Sequence, residues 1–277
     1  MSRSISSNKS FRRVRMGLET VLGLKRQGFF IPYRYAAGVG APGPYPEIEA
    51  LFEAAAARQR GVLSEIAALK IDLDYIEAEG APPDPRWGQS WFPALDAAAL
   101  YALIRTRRPA RVIEVGSGHS TRFAARAISD GNLASRQICI DPEPRARLDG
   151  LPIEWRRTLL SPAHGDLFAE LEAGDIAFFD SSHILMPGTD VDMIFNRILP
   201  RLAPGVLIHI HDVLLPDPYP ASWEWRGYNE QNALGPLLMG GGVRLLFSSW
   251  YARTRLKPDF RRPPEGALET SLWLEKA

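Results

Sequence analysis

Two short stretches of this sequence combine histidine with carboxylates. One is 180–183, which begins with an aspartate and ends with His183, and the other is the pair His211-Asp212. Because the ordinary pKa of histidine lies near neutrality, this side chain can take a proton from a hydroxyl group. We predict His183 and His211 as candidate general bases, with His183 first because it lies in a loop from which a side chain can reach a cleft. Asp212 would orient His211 or bind the substrate. The alternatives are a helix-cap or loop hydrogen bond for His183 and a structural pair that closes a strand for His211-Asp212.

A third polar stretch, 111–121, surrounds a glycine turn. An apolar run rich in β-branched residues carries Glu114 near its end, turns through Gly116 and Gly118, and leads into a predicted helix. The glycines allow a sharp turn and the close approach of a ligand. A dinucleotide site would need a small residue where this chain has Thr121. Glu114, which precedes the glycines, favours a ligand with a cationic part over a diphosphate.

A further carboxylate, Asp141, ends the apolar run 136–140. In a doubly wound sheet, a carboxylate at this place accepts hydrogen bonds from ribose hydroxyls. The segments Glu114-Val115-Gly116-Ser117-Gly118 and Ile140-Asp141 together resemble the motifs of the class I S-adenosylmethionine-dependent methyltransferases. The resemblance implies that the glycine turn holds the methionine half of S-adenosylmethionine and that Asp141 binds its ribose. The candidate cofactor-binding residues are Glu114, Gly116, Ser117, Gly118, His119, Ser120, Asp141, Asp180 and Ser181.

Other segments resemble a bacterial subgroup of this family that acts on small molecules. They are Pro85-Arg86-Trp87, Trp91-Phe92-Pro93, His119-Ser120-Thr121, His211-Asp212 and Asn229-Glu230-Gln231. This second resemblance implies a fold and a cofactor, and it names no substrate.

From residue 111 onward, apolar runs alternate with helical patterns, which predicts a parallel sheet with crossover helices. The predicted strands are 111–115, 136–140, 153–156, 175–179, 205–210, 243–249 and 270–275, and the predicted helices are 120–129, 165–172, 190–202 and 230–239. Their number matches the seven-stranded sheet of class I methyltransferases, whose last strand runs antiparallel. We therefore predict an α/β, Rossmann-like doubly wound seven-stranded sheet. Because ligands of such sheets bind beyond the carboxyl ends of the strands, the three polar stretches would line one cleft.

The remaining segments predict an extension and an insertion. Residues 1–84 would form a basic leader and a helical extension, with helix over 45–79 and a proline-rich break after it. Residues 85–277 would form the core, which begins with a helix over 92–106. A loop insertion at 214–228, rich in proline and aromatic residues, suits a lid or a platform for substrate. The alternative is a loop that packs down as a small satellite core.

The first 26 residues carry seven basic side chains and one acidic side chain, Glu19. Apolar residues among them would let this segment dock on an anionic membrane surface or an acidic carrier. A solvated leader is the alternative. We expect no secretory signal, because the first residues lack an apolar core, and no membrane span, because no apolar run is long enough.

Charge and cysteine content limit the partners. The net charge of +1 over 277 residues gives no case for nucleic-acid binding. Cys139 is the single cysteine, so a disulfide within the chain is impossible, and a cytoplasmic location is expected.

These patterns predict a methyltransferase that acts on a small molecule, most readily at oxygen. Methylation of an amide-like nitrogen is disfavoured, because such enzymes carry Asn/Asp-Pro-Pro-aromatic where this chain has 180–183. The first alternative is a scaffold that binds the cofactor or a metabolite without turnover, and the second is a nicotinamide-dependent oxidoreductase.

Magnesium is a separate question. Some O-methyltransferases of this family bind magnesium through residues that correspond to Asp180 and Asp212, and magnesium prefers oxygen ligands. Val213 stands where the family pattern has a further oxygen ligand, which argues against the ion. Glu230 could complete a site, although a long loop separates it from Asp212.

Overall fold

The computed structural model describes residues 2–277, with side chains from residue 11 onward. The chain divides into two compact units, which we call the N-terminal unit, Met1–Pro42, and the main unit, Gly43–Ala277. The N-terminal unit contains helix α1, Ser2–Val21, and a 3₁₀ turn at Ala36–Gly38. Among the described residues, no helix is both long enough and apolar enough to cross a membrane.

The main unit is built on a seven-stranded sheet with the order β3-β2-β1-β4-β5-β7-β6. Strand β7 runs antiparallel to both of its neighbours, and the strands from β3 to β5 are parallel. The predicted fold class is therefore confirmed. The strands are β1 (Arg111–Val115), β2 (Arg136–Ile140), β3 (Glu154–Arg156), β4 (Ile176–Phe179), β5 (Leu207–Ile210), β6 (Val243–Ser248) and β7 (Leu272–Lys276).

The register of the central strands aligns their carboxyl ends. Val115 of β1 pairs with Ile140 of β2 and with Phe179 of β4, and Phe179 pairs with Ile210 of β5. The residues that follow these four strands therefore meet at one edge of the sheet.

Helices cover both faces of this sheet. They are α2 (Pro46–Ala54), α3 (Ala56–Ala68), α4 (Lys70–Asp74), α5 (Ala94–Arg107), α6 (His119–Asp130), α7 (Gly165–Ala169), α8 (Asp190–Met193), α9 (Gln231–Met239) and α10 (Ser249–Tyr251). The helix predicted over 45–79 is divided into three, and α7 ends before its predicted limit at 172. Helix α8 continues through a π turn, Ile194–Ile198, into a 3₁₀ turn that contains Pro200, which has no N–H to extend an α-helix.

Two apolar clusters pack against the opposite faces of the sheet. Phe52 of α2 lies in the cluster that contains Ile113, whereas Val62 of α3 lies in the cluster that contains Val112 and Phe178. The helices from α2 to α4 thus belong to the same compact unit as the sheet. The predicted boundary at residue 84 lies inside this unit, and the compact division falls after Pro42.

Candidate active site

Gly116 brings the glycine turn against the end of β4. Its φ is +80°, a conformation that favours glycine, and a Cβ at this position would overlap the carbonyl oxygen of Asp180. The Asp180 N–H donates to the carbonyl of Val115 at 2.9 Å. Gly118 differs, because a Cβ there would meet nothing within 4 Å. The first glycine is therefore needed for packing within the protein, and the second faces open space in which a ligand could approach.

Glu114 is turned into the protein and away from this space. Its side chain is buried and accepts hydrogen bonds from the hydroxyls of Ser120 and Thr121 and from the thiol of Cys139. Burial raises the pKa of Glu114 to about 7, although these donors oppose the rise. Glu114 and Ser120 thus tie the start of α6 to β1 and β2. Both residues were predicted to bind the cofactor, and neither has a free side-chain group to offer to a ligand.

Asp141 lies beside the glycine turn, as the sequence predicted. Its Oδ2 accepts from the N–H of Ser117 at 2.6 Å, and its Oδ1 accepts from the N–H of Glu143 at 2.7 Å. The Ser117 hydroxyl, the Nδ1 atom of His119 and the Ser181 hydroxyl are buried without a partner among the described residues. A cradle of open space with unpartnered polar atoms fits a polar ligand such as S-adenosylmethionine.

His183 is held between carboxylates on both of its ring nitrogens. Nδ1 lies 2.9 Å from Oε2 of Glu230, and Nε2 lies 3.2 Å from Oδ1 of Asp180 and 3.5 Å from Oδ2 of Asp212. The ring is 3% exposed. His183 and Asp212 both have left-handed backbone, with φ of 59° and 54°. Such strained backbone at non-glycine residues concentrates at functional sites.

His211 has a separate set of partners. Nε2 lies 3.3 Å from Oδ2 of Asp96 and 3.3 Å from the Thr270 hydroxyl, and Nδ1 lies 3.5 Å from Oδ1 of Asp180. Asp212 is farther from Nδ1, at 3.7 Å. Asp96 is fully buried and accepts from the N–H groups of Thr270 and Ser271. The carboxylate that best orients His211 is therefore Asp96, in the first turn of α5.

The two histidines and their carboxylates shift one another's pKa values. Burial lowers the pKa of His183, but Asp180 and Glu230 raise it well above its usual range. His211 responds in the same way to Asp180 and Asp96. Burial opposes the charge on Asp180, yet the two histidines hold its pKa well below its usual value. Both imidazoles therefore retain a proton above the pH at which an ordinary histidine loses it.

The insertion 214–228 borders this cluster. Tyr228 places its ring 4.6 Å from that of His183, and Arg226 lies 3.4 Å from Oδ2 of Asp212. The Arg226 guanidinium also lies 4.1 Å from the ring of Trp223. Asp217, near the start of the insertion, is fixed by Arg255 at 2.6 Å. The loop thus presents aromatic rings and one cation beside the histidines.

Sequence patterns gave a doubtful role or no role to three residues that lie beside the histidines. Glu230 had been separated from the site by the long loop, and Asp96 and Thr270 had no predicted role. The signal for Asp96 was a lone acid in the apolar run that became α5. His209 is a core residue that stacks on Phe178 with a centroid distance of 3.7 Å.

The donor set does not fit a magnesium ion. The carboxylates of Asp180 and Asp212 already face imidazole and guanidinium groups. The side chain of Val213 is buried in the core. No group of three or more His, Cys, Asp or Glu side chains in the described part of the chain is arranged to hold a metal.

Comparison with known proteins agrees with this geometry. A family model described as a methyltransferase domain matches residues 113–213, which run from β1 to the end of the His211-Asp212 segment. Residues 113–213 are therefore similar to a methyltransferase domain. The matched segment contains the glycine turn, Asp141 and both histidine–carboxylate stretches.

Solved structures with similar coordinates include an O-methyltransferase from Bacillus cereus in complex with S-adenosylhomocysteine, at 14% identity and a TM-score of 0.44, covering 78% of this chain and 91% of that one. Another is the O-methyltransferase TomG from Streptomyces achromogenes, involved in tomaymycin synthesis and bound to S-adenosylmethionine, at 16% identity and a TM-score of 0.41, covering 78% and 89%. At such low identity and TM-score, these similarities support no conclusion about the chain beyond the fold that its sheet order shows. No curated protein matches the chain significantly.

Proposed function

We propose that the protein transfers the methyl group of S-adenosylmethionine to a hydroxyl of a small molecule, with His183 as the general base. The observation that carries this proposal is the place of His183, whose Nε2 faces Asp180 directly where Gly116 packs against that residue. Base and cofactor turn are thereby held at one edge of the sheet.

The methyl donor and the protein would contribute different parts of the reaction. S-adenosylmethionine supplies an already activated methyl group. Nε2 of His183 would take the proton of the acceptor O–H while the oxygen bonds to the methyl carbon, and the carbon–sulfur bond would break to leave a neutral thioether. Glu230 accepts a hydrogen bond from Nδ1–H, so Nε2, on the side of Asp180 and Asp212, is the nitrogen that would accept the proton.

The small-molecule character of the acceptor is supported by the insertion. Trp223 and Tyr228 offer apolar faces to a flat ring or a sugar, and Arg226 offers a cation. Asp212, between Arg226 and His183, is placed to contact the acceptor.

Two measurements test this function. Calorimetry should show binding of S-adenosylhomocysteine, and mass spectrometry should show a methylated product after incubation with a library of phenols, sugars and hydroxy acids. Binding without any product would favour the non-catalytic scaffold. A rise of the thermal midpoint with NAD and none with S-adenosylhomocysteine would favour the oxidoreductase.

Contact of the N-terminal unit with an anionic membrane surface is a second proposal. This unit carries eight basic residues and one acidic residue, and its exposed apolar side chains include Phe11, Phe30 and Ile31. The full chain should float with vesicles that contain phosphatidylserine and not with phosphatidylcholine alone. Replacement of Arg12, Arg13 and Arg15 by Gln should reduce this binding. Unchanged flotation would reject the surface, and an acidic carrier would then be the remaining partner. The cytoplasmic location predicted from Cys139 stays a prediction.

A further inference from the structure

His183 is covered by the insertion 214–228, which leaves this base closed to an acceptor. The residue is 3% exposed, and the ring of Tyr228 lies 4.6 Å from its own. The side chain of Asp180 is 33% exposed, so the open side is the one that faces the glycine turn. A hydroxyl group must come within hydrogen-bond distance of the base to lose its proton. The part of the insertion that carries Tyr228 must therefore move before an acceptor can react.

The insertion is anchored on both sides of this part. Near its start, the carboxylate of Asp217 accepts hydrogen bonds from Arg255 at 2.6 and 2.8 Å. Just beyond its end, the N–H of Asn229 donates to the carbonyl of His183 at 3.1 Å. Residues 218–228, which we call the insertion tip, lie between these anchors. A movement that uncovers the base is therefore expected in the tip alone.

Few polar contacts hold the insertion tip to the rest of the chain. Among the described residues, two hydrogen bonds join them. The N–H of Gln231 donates to the Tyr219 hydroxyl at 3.4 Å, and the Arg226 guanidinium donates to Oδ2 of Asp212 at 3.4 Å. Three aromatic rings of the tip pack on one another, with centroid distances of 6.1 and 6.2 Å. The tip thus has a small apolar core of its own and can move as one piece.

Arg226 is the residue that fixes the tip over the histidine. Its guanidinium lies 4.1 Å from the ring centroid of Trp223 and 5.2 Å from that of Tyr228, both within range of a cation–π contact. Its ionic partner is Oδ2 of Asp212, and the same oxygen lies 3.5 Å from Nε2 of His183. One carboxylate oxygen is therefore shared between the base and the tip. A group that binds this oxygen from the cleft competes with Arg226.

We propose that the insertion tip is a lid, that the ion pair of Arg226 with Asp212 is its latch, and that the acceptor enters when the latch opens. The inference rests on the proposed function and deepens it, because it takes His183 as the base. An acceptor with a second donor group, a hydroxyl or an ammonium, replaces the guanidinium at Asp212. The latch therefore also selects acceptors that can donate to a carboxylate beside the reacting hydroxyl.

Chemical modification of histidine tests the latch without a methyl acceptor. Diethyl pyrocarbonate acylates neutral imidazole, and mass spectrometry reports each histidine separately. Carboxylates raise the pKa of both His183 and His211 well above its usual range, so the reaction is run at alkaline pH. His211 is equally buried, and its ring packs against Phe92, outside the insertion, so it is the internal reference. Arg226→Gln should speed the modification of His183 about tenfold, as loss of an ion pair and a cation–π contact would, and leave that of His211 unchanged.

Arg261→Gln is the matched control. Arg261 makes the same two kinds of contact elsewhere in the main unit, at 3.3 Å from Asp74 and 4.3 Å from the ring centroid of Trp87. The wild-type protein in about 1 M salt guards against a folding defect, because salt screens the ion pair and should also speed the modification of His183. Amide hydrogen exchange in Arg226→Gln should rise in the insertion tip and not in α9.

Three results would overturn the latch. They are an unchanged rate for His183 in Arg226→Gln, an equal rise for His211, and the same rise in Arg261→Gln. Failure of the proposed function would give a different result. If His183 is selectively uncovered and no acceptor is methylated, the lid stands and the methyl transfer is contradicted. If the wild-type protein methylates an acceptor and Arg226→Gln leaves His183 protected, the function stands and the lid is contradicted.

Discussion

The two ends of this sheet edge use their acids in opposite ways. At the end of β1, Glu114 is turned inward and accepts hydrogen bonds from two hydroxyls of α6, and the space beside Gly118 is open. At the ends of β4 and β5, carboxylates face the rings of His183 and His211. Under the proposed function, the first end would hold the cofactor and the second would take the proton of the acceptor. Each task needs a different local charge, and one sheet edge supplies both.

The largest expected effect is at the proton-transfer end. His183→Ala should lower turnover by roughly 10²- to 10⁴-fold, the usual contribution of general-base catalysis. Affinity for S-adenosylhomocysteine, measured by calorimetry, should stay the same because the glycine turn is untouched. Retention of full turnover would assign the base to His211.

The two glycines of the turn should separate stability from binding. Gly116→Ala forces a side chain into the main chain of Asp180 and should cost about 3 kcal/mol or more in the free energy of unfolding. Gly118→Ala should leave the unfolding midpoint nearly unchanged and weaken S-adenosylhomocysteine. Denaturant unfolding and calorimetry on both variants check this, and a reversed pattern would contradict the roles given to the two positions.

The Glu114 carboxyl should make the free energy of unfolding depend on pH, by an amount similar to that expected for Gly116→Ala. Its pKa is about 7 in the folded protein, above the ordinary value, so the folded state binds this proton more tightly than the unfolded state. The contribution is present below the ordinary pKa and is lost as pH rises through 7, by about 3 kcal/mol in total. Glu114→Gln should flatten the dependence of the unfolding free energy on pH in this window. A variant with the wild-type slope would reject the assignment.

A smaller effect is expected on the pH dependence of kcat/KM. Activity requires neutral His183, and its carboxylate partners raise its pKa, so kcat/KM should rise with pH through a value above 6.5. Glu230→Gln removes one partner and should move this limb to lower pH. Asp96→Asn, which alters a partner of His211 and none of His183, is the matched control. Movement in the control and none in Glu230→Gln would identify His211 as the base.

The smallest expected effect is that of a chelator. The carboxylates of Asp180 and Asp212 are engaged by His183 and Arg226, so treatment with EDTA should leave turnover unchanged. Loss of activity that added magnesium restores would show that these carboxylates bind the ion.

Features set by local patterns could be predicted from the sequence, whereas contacts between residues far apart in the chain could not. The strands, the glycine turn and the positions of Asp141, His183 and His211 followed from period and from the rule that ligands bind at the carboxyl ends of parallel strands. The partners of the histidines did not follow. Glu230 is 47 residues from His183, and Asp96 is 115 residues from His211. Such contacts depend on how α5 and the insertion pack, and no local pattern encodes that.

The sequence by itself determined the fold class and the kind of ligand, because hydrophobic period, glycine positions and strand-end acids act over a few residues. Only the tertiary structure decided which acids are available. Glu114 has the right place in the sequence to meet a ligand, yet two hydroxyls on α6 draw its carboxylate into the core. The physical reason is that a buried carboxylate takes the nearest donors, and their positions are fixed by packing.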